Sequence, residues 1–356
     1  VAVLEQAAKQ IGVHDLAGAE SALRQLLEQS PDDPLALNLL GFVRFEQQRP
    51  AEAEKLYRRA IEEGPHLAGP HMNLALLYGA GRAEDAIGEL SEALRIAPDH
   101  DQAQRLLGEI ARQASAAAAR SGDKDRALAL LLAAHKVLPR DPDLLVDTAL
   151  AAMEKGLFAD GRCYLVEALE IRLDYPRATY ALARAYLGES KNQLAEEQMR
   201  QYLALRPGDA SAQFGLGLIL IGEQKVDEAR AAFEKSLALE PRQTESHFQL
   251  GEIALEQSAN DRAREQFEQV LKSERAHAGA LTGLGILAYR EGRLPEALDR
   301  LEQAVRLAPD YYKAHYFYSL VLRKQGRRGD ADREFRIATD LQKHDTPTAR
   351  LAPDRQ

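Results

Sequence analysis

The sequence predicts an all-α solenoid of tandem antiparallel helix pairs. Three observations predict it. A unit of about 34 residues recurs over residues 1–343. Small, alanine and large apolar residues keep three fixed columns through those units, and prolines punctuate them in phase.

Residues 210–241 are the clearest copy. Residues 213–221 read as a first helix, with Leu216 and Leu220 on one face and Gly217 between them. Gly222 opens a polar turn. Residues 226–240 read as a second helix, with Ala229, Phe233 and Leu237 at helical spacing, and Pro241 stops it.

The columns then place each pair in order. A small residue centres every first helix: Ala7, Gly41, Ala75, Gly108, Ala149, Ala183, Gly217, Gly251, Gly285 and Ser319. Each second helix carries alanine near its start, at Ala19, Ala53, Ala86, Ala127, Ala195, Ala229, Ala263, Ala297 and Ala331, with Gly161 in the remaining slot. Four residues later stands a large apolar residue: Leu23, Tyr57, Leu90, Leu131, Leu165, Met199, Phe233, Phe267, Leu301 and Phe335. Small residues let two helix backbones approach, and the large residue fills the space beside them. Prolines 31, 65, 98, 139, 207, 241 and 309 close second helices, with Asp or Ser expected as caps on the helices that follow.

Two units depart from the period. The third is one residue short, with Gly79-Ala80-Gly81 as its turn. In the fourth, Pro98 and Pro139 are 41 residues apart, and the excess falls in the alanine-rich residues 111–120. Seven extra residues are about two helical turns, so the first helix can lengthen and keep its buried face. Residues 111–175 read as the irregular middle of the array. The tail, residues 344–356, has two prolines and no periodicity and is expected to be disordered.

Composition narrows the function. Of 356 residues, 45% are hydrophobic and 28% charged, enough to bury a core. A net charge of −9 argues against a general nucleic-acid binder, which needs a basic stripe. The single cysteine, Cys163, excludes an internal disulfide and a cysteine-based metal site. No apolar run is long enough to span a membrane. The first residue, Val1, leaves a processed or truncated start open, and with it the choice between cytoplasm and periplasm. The nine histidines lack metal-ligand spacing, and no nucleophile–base arrangement is visible, so the chain reads as a non-enzyme with no cofactor. His71, His247 and His315 share one column and read as packing residues at helix contacts.

The motif residues Leu216-Gly217, Ala229, Phe233 and Pro241, repeated in register over residues 1–343, resemble the tetratricopeptide repeat. The family's usual first tryptophan is missing; its column holds Leu37, His71, Gln104, Leu145, Thr179, Gln213, His247, Leu281 and His315. The resemblance implies a right-handed superhelix whose first helices line a concave groove that binds peptide or protein segments. The family's carboxylate clamp fits poorly: Asn38 and Asn73 are present, but the basic partners at the required spacing are not. The asparagine ladder of the O-linked N-acetylglucosamine transferases is absent as well.

One groove column, three residues before the small residue, reads Tyr180, Phe214, Phe248, Thr282 and Tyr316. Leu218, Ile221 and Tyr289 flank it, and Phe317 joins Tyr316. Two readings stay open: rings packed between pairs, or an exposed apolar groove. On the second reading the anchors are Tyr180, Phe214, Phe248 and Tyr316, with Arg184 and Glu252 as polar selectors at the rim. The expected function is a scaffold for a peptide or protein partner. The alternatives are self-association into a homo-oligomer, or the substrate-recruiting part of a larger enzyme.

Overall fold

The computed structural model describes residues 2–344. Among them are twenty α-helices, one 3-10 turn and no strand. The helices follow in the expected order, and nine of the expected ten pairs lie within one compact unit or the other. The first pairs are α1 (Ala2–Gly12) with α2 (Leu16–Gln29), and α3 (Pro34–Glu46) with α4 (Pro50–Glu63). Next come α5 (Ala68–Tyr78) with α6 (Ala83–Ile96), and α7 (Asp101–Arg120) with α8 (Lys124–Val137). They are followed by α9 (Pro142–Glu154) with α10 (Phe158–Ile171), and then by α11 (Pro176–Gly188) and α12 (Asn192–Leu205), which fall in different compact units. The last four pairs join α13 (Ala210–Gly222) to α14 (Val226–Leu239), and α15 (Thr244–Glu256) to α16 (Asn260–Ser273). They continue with α17 (Ala278–Arg290) and α18 (Leu294–Leu307), then α19 (Tyr312–Lys324) and α20 (Arg328–His344). The disorder expected for the tail falls, from residue 345 on, outside the described residues; His344 closes α20.

Two compact units divide the chain, Val1–Lys191 and Asn192–Gln356. The first holds five pairs and α11, the second α12 and four pairs. The division thus falls C-terminal to the irregular residues 111–175. The fourth pair absorbs its extra residues as expected: α7 has 20 residues where other first helices have 11 or 13. Its added turns keep Ala111, Ala114, Ser115 and Ala118 buried. The short third pair turns through a 3-10 segment, Gly79–Arg82.

Caps start the first helices. The Asp33 carboxylate accepts from the Leu35 and Ala36 amides, both at 2.9 Å, and Asp141 and Asp209 do the same for α9 and α13. Serine takes no such place; instead His100 and His277 accept through Nδ1, at 3.4 and 3.0 Å. The turn inside each pair passes through one left-handed residue. Five are glycines (Gly79, Gly122, Gly156, Gly292, Gly326) and five are not: His14, Gln48, Ser190, Gln224 and Ser258. In the pair read first from sequence, Gly222 ends the helix, and the left-handed conformation falls on Gln224 (φ 62°).

The three columns make the core. All are buried except Phe335, which is 42% exposed. Size is matched across several of the pairs. Where the large residue is a fully buried ring, the small one is glycine, as in Gly41 with Tyr57, Gly217 with Phe233 and Gly251 with Phe267. A Cβ on Gly217 would stand 2.4 Å from the Phe233 ring. Alanine partners Leu23, Leu90 and Leu165, which are slimmer, whereas Gly285 faces Leu301. Ser319 carries a Cβ opposite Phe335, the ring that stays outside.

The first unit also buries a charge. Arg44, 3% exposed, bonds Glu20 at 2.6 and 2.8 Å and approaches Glu52 at 3.1 Å, tying α2, α3 and α4 together. These bonds and that of Gln47 lower the Glu20 carboxyl to about 2.

Candidate functional site: the first-helix face

The sequence places the aromatic column three residues before the small column of the first helices. The structure sorts that column into three kinds of environment. Tyr180 is half-buried and Arg184 exposed, both on α11 in the first unit. The other eight expected residues all lie in the second unit.

Phe214 and Phe248 are half-buried, and each leans on the large core ring of its own pair. The centroid distances are 5.7 Å to Phe233 and 6.1 Å to Phe267. Phe248 also meets the His277 ring at 4.8 Å and fills the space that a Cβ on Gly279 would need. Leu218 and Ile221 are half-buried beside Phe214 on α13.

The middle of the face is closed. Thr282, the gap in the aromatic column, is 1% exposed. Glu252 on α15 forms an ion pair with Lys313 on α19, reaching across the intervening first helix α17. Glu252 is therefore a partly buried, ion-paired strut, where the sequence suggested a selector at the rim; its Oε1 is buried and accepts no hydrogen bond.

The far end is open. Tyr316 is 40% exposed, with Phe317 edge-on at 5.2 Å and Phe335 at 6.2 Å. Phe317 is half-buried and reaches the cores on both sides of α17 and α19. Tyr289 is half-buried on α17, with the Lys324 ammonium 4.5 Å above its ring centroid. Lys313, Lys324 and Phe335 complete this region; the sequence columns gave no place to the two lysines and read Phe335 as a core residue. Only Phe335 left a signal, as a large ring opposite a residue with a Cβ.

The histidine column packs at helix contacts and is also polar. Nδ1 of His71, His247 and His315 bonds Glu89, Gln266 and Glu334 of the paired second helix at 2.6–2.7 Å. In the first unit, Asn73 donates to Asn38 at 2.9 Å, so the two clamp-like asparagines engage each other. Among the described residues, no group of three or more His, Cys, Asp or Glu could hold a metal ion, and no helix is long and apolar enough to cross a membrane.

The family model described as tetratricopeptide repeat matches residues 5–68, 75–119, 180–245, 248–311 and 286–341, well over half of the chain. Among solved structures, the chain is similar to MamA from Desulfovibrio magneticus RS-1, with 24% identity over 48% of this chain and 97% of that one and a TM-score of 0.45. It is similar to YrrB, a TPR protein with an unusual peptide-binding site, with 20% identity over 52% and 95% and a TM-score of 0.45. It is also similar to yeast Tom70, with 15% identity over 96% and 91% and a TM-score of 0.42. No curated protein matches the sequence.

Proposed function

Because the chain belongs to the tetratricopeptide-repeat family, we propose that it is a non-enzymatic interaction scaffold that holds a peptide or protein segment on the first-helix face of its second unit. The observation that carries this reading is the aromatic group of exposed Tyr316 and Phe335 with half-buried Phe317, beside Tyr289 and its lysine. Phe214, Leu218, Ile221 and Phe248 extend the apolar surface along α13 and α15. Phe214 and Phe248 brace the core while offering an edge, so Tyr316 is the better anchor.

Burying the exposed 40% of Tyr316 would contribute about 2 kcal/mol, taking roughly 25 cal/mol per Å² over about 90 Å². Tyr316→Ala should then weaken a bound segment by about 10- to 30-fold, with helicity and melting unchanged. Peptides selected from a display library on the wild-type chain, then titrated against both chains by fluorescence polarisation, provide the test. Equal affinity of every selected peptide for the variant would overturn the anchor. Light scattering over a dilution series addresses self-association, because a partner that is a second copy would appear as a concentration-dependent mass.

A further inference from the structure

The tryptophan-replacing column yields a second site, away from the first-helix face. In the eighth and tenth pairs this column is histidine, and the residue 19 positions later, Gln266 or Glu334, closes the space between the paired helices by bonding it. The seventh pair breaks the device. Its column residue is Gln213, and 19 positions later stands Ala232, too short to reach it. A cavity of about 450 Å³ opens there between α12, α13 and α14. That is within the range of roughly 300–1,000 Å³ usual for small-ligand pockets.

The cavity has a built polar interior. Gln213 is 3% exposed and lines it, and its amide forms no hydrogen bond among the described residues. A buried amide left open to a cavity favours a ligand that can pair with it. Leu203, Leu216 and Ala232 supply apolar walls. Arg200 and Glu228 also line the cavity, and both are engaged: Arg200 pairs with Glu228 at 2.7 Å and with Glu196 at 2.8 Å. Lys235, one turn beyond Ala232 on α14, lines it too, is exposed, and has no ion-pair partner among the described residues. The uncompensated features are thus one cation at the surface and one amide inside, separated by apolar walls.

We propose that this cavity binds an apolar carboxylate carrying a further hydrogen-bonding group, as a free acid or as the C-terminal residue of a peptide. The carboxylate pairs with the Lys235 ammonium, the apolar body lies between Leu203, Leu216 and Ala232, and the second polar group meets the Gln213 amide.

The probes are 3-(4-hydroxyphenyl)propionate, 3-phenylpropionate, and a short peptide ending in tyrosine with a free or an amidated C-terminus. Each is titrated at up to millimolar concentration against the full chain by ligand-observed NMR. The hydroxylated acid or the free-carboxylate peptide should bind, and which of them binds identifies the source of the carboxylate. Ala232→Gln fills the cavity as Gln266 does in the next pair and should weaken binding at least about tenfold. Lys235→Ala, at an exposed site, should weaken it about three- to tenfold. Gln213→Leu, the residue at Leu281 in this column, should erase the advantage of the hydroxylated acid over the plain one. Circular dichroism of each variant confirms the fold. Binding by neither source, binding indifferent to Ala232→Gln, or equal binding of the amidated peptide overturns the proposal.

Discussion

At Gly217 the Phe233 ring occupies the place of a side chain, 2.4 Å from where a Cβ would sit. Gly217→Ala gains helix propensity of about 1 kcal/mol but forces that ring, fully buried, out of its seat. We expect a net loss of about 1–2 kcal/mol in urea unfolding, larger than for a surface Gly→Ala such as Gly88→Ala, which meets nothing within 4 Å. The left-handed turn residues behave in the opposite sense. Gln224 holds φ at 62°, a conformation that costs a residue with a Cβ more than it costs glycine. Gln224→Gly should stabilise the chain by about 0.5–1 kcal/mol, and a lower melting temperature would refute that reading of the turn. The match of ring to glycine was readable in the sequence columns. The left-handed role of Gln224 was not, because Gly222, two residues earlier, offered a more obvious turn.

Between elements, polar ties join helices that the apolar columns alone leave free to slide. Glu20 and Arg44 tie α2 to α3, with Glu52 of α4 closing the group. The unfolded chain protonates Glu20 near 4.5, the folded chain only near 2. The stability from this group is therefore complete above about pH 4.5 and is lost as pH falls toward 2. With solvent screening of the partly exposed pair, we expect roughly 1–2 kcal/mol lost over that window. Glu20→Gln should flatten this limb of the stability–pH curve and lower stability at neutral pH, because it leaves Arg44 buried with less compensation. Denaturant titrations at about pH 6 and about pH 3 read both effects. The Glu252–Lys313 bridge acts likewise across α17. Lys313→Ala should speed amide exchange at the N-terminal turn of α17 with little change in global stability.

Within each of the two compact units, pairs pack mainly on their sequence neighbours. A chain held together this way loses structure in stages. We expect the calorimetric enthalpy of unfolding to exceed the van't Hoff value, whereas a single cooperative transition would make them equal. Gly217→Ala should lower exchange protection chiefly in α13 and α14 and in their neighbours α12 and α15.

By itself the sequence determined the tandem helix pairs and their order, the lengthened α7 and the buried columns. Those features follow from residues within one unit or the next, and the period repeats that information ten times. Only the tertiary structure decided which aromatics are buried, since that depends on side chains from other units. Phe248 is covered by the absence of a side chain at Gly279, and Glu252 is taken up by Lys313, 61 residues on. Tyr316 is exposed because, among the described residues, nothing comparable covers it. The cavity at Gln213 likewise comes from a missing partner at Ala232, a pairing that gains meaning once the histidine units show what fills the same space. Helix packing repeats and can be read as a pattern, whereas a binding surface forms where the pattern is broken, and the breaks lie in contacts between residues distant in the chain.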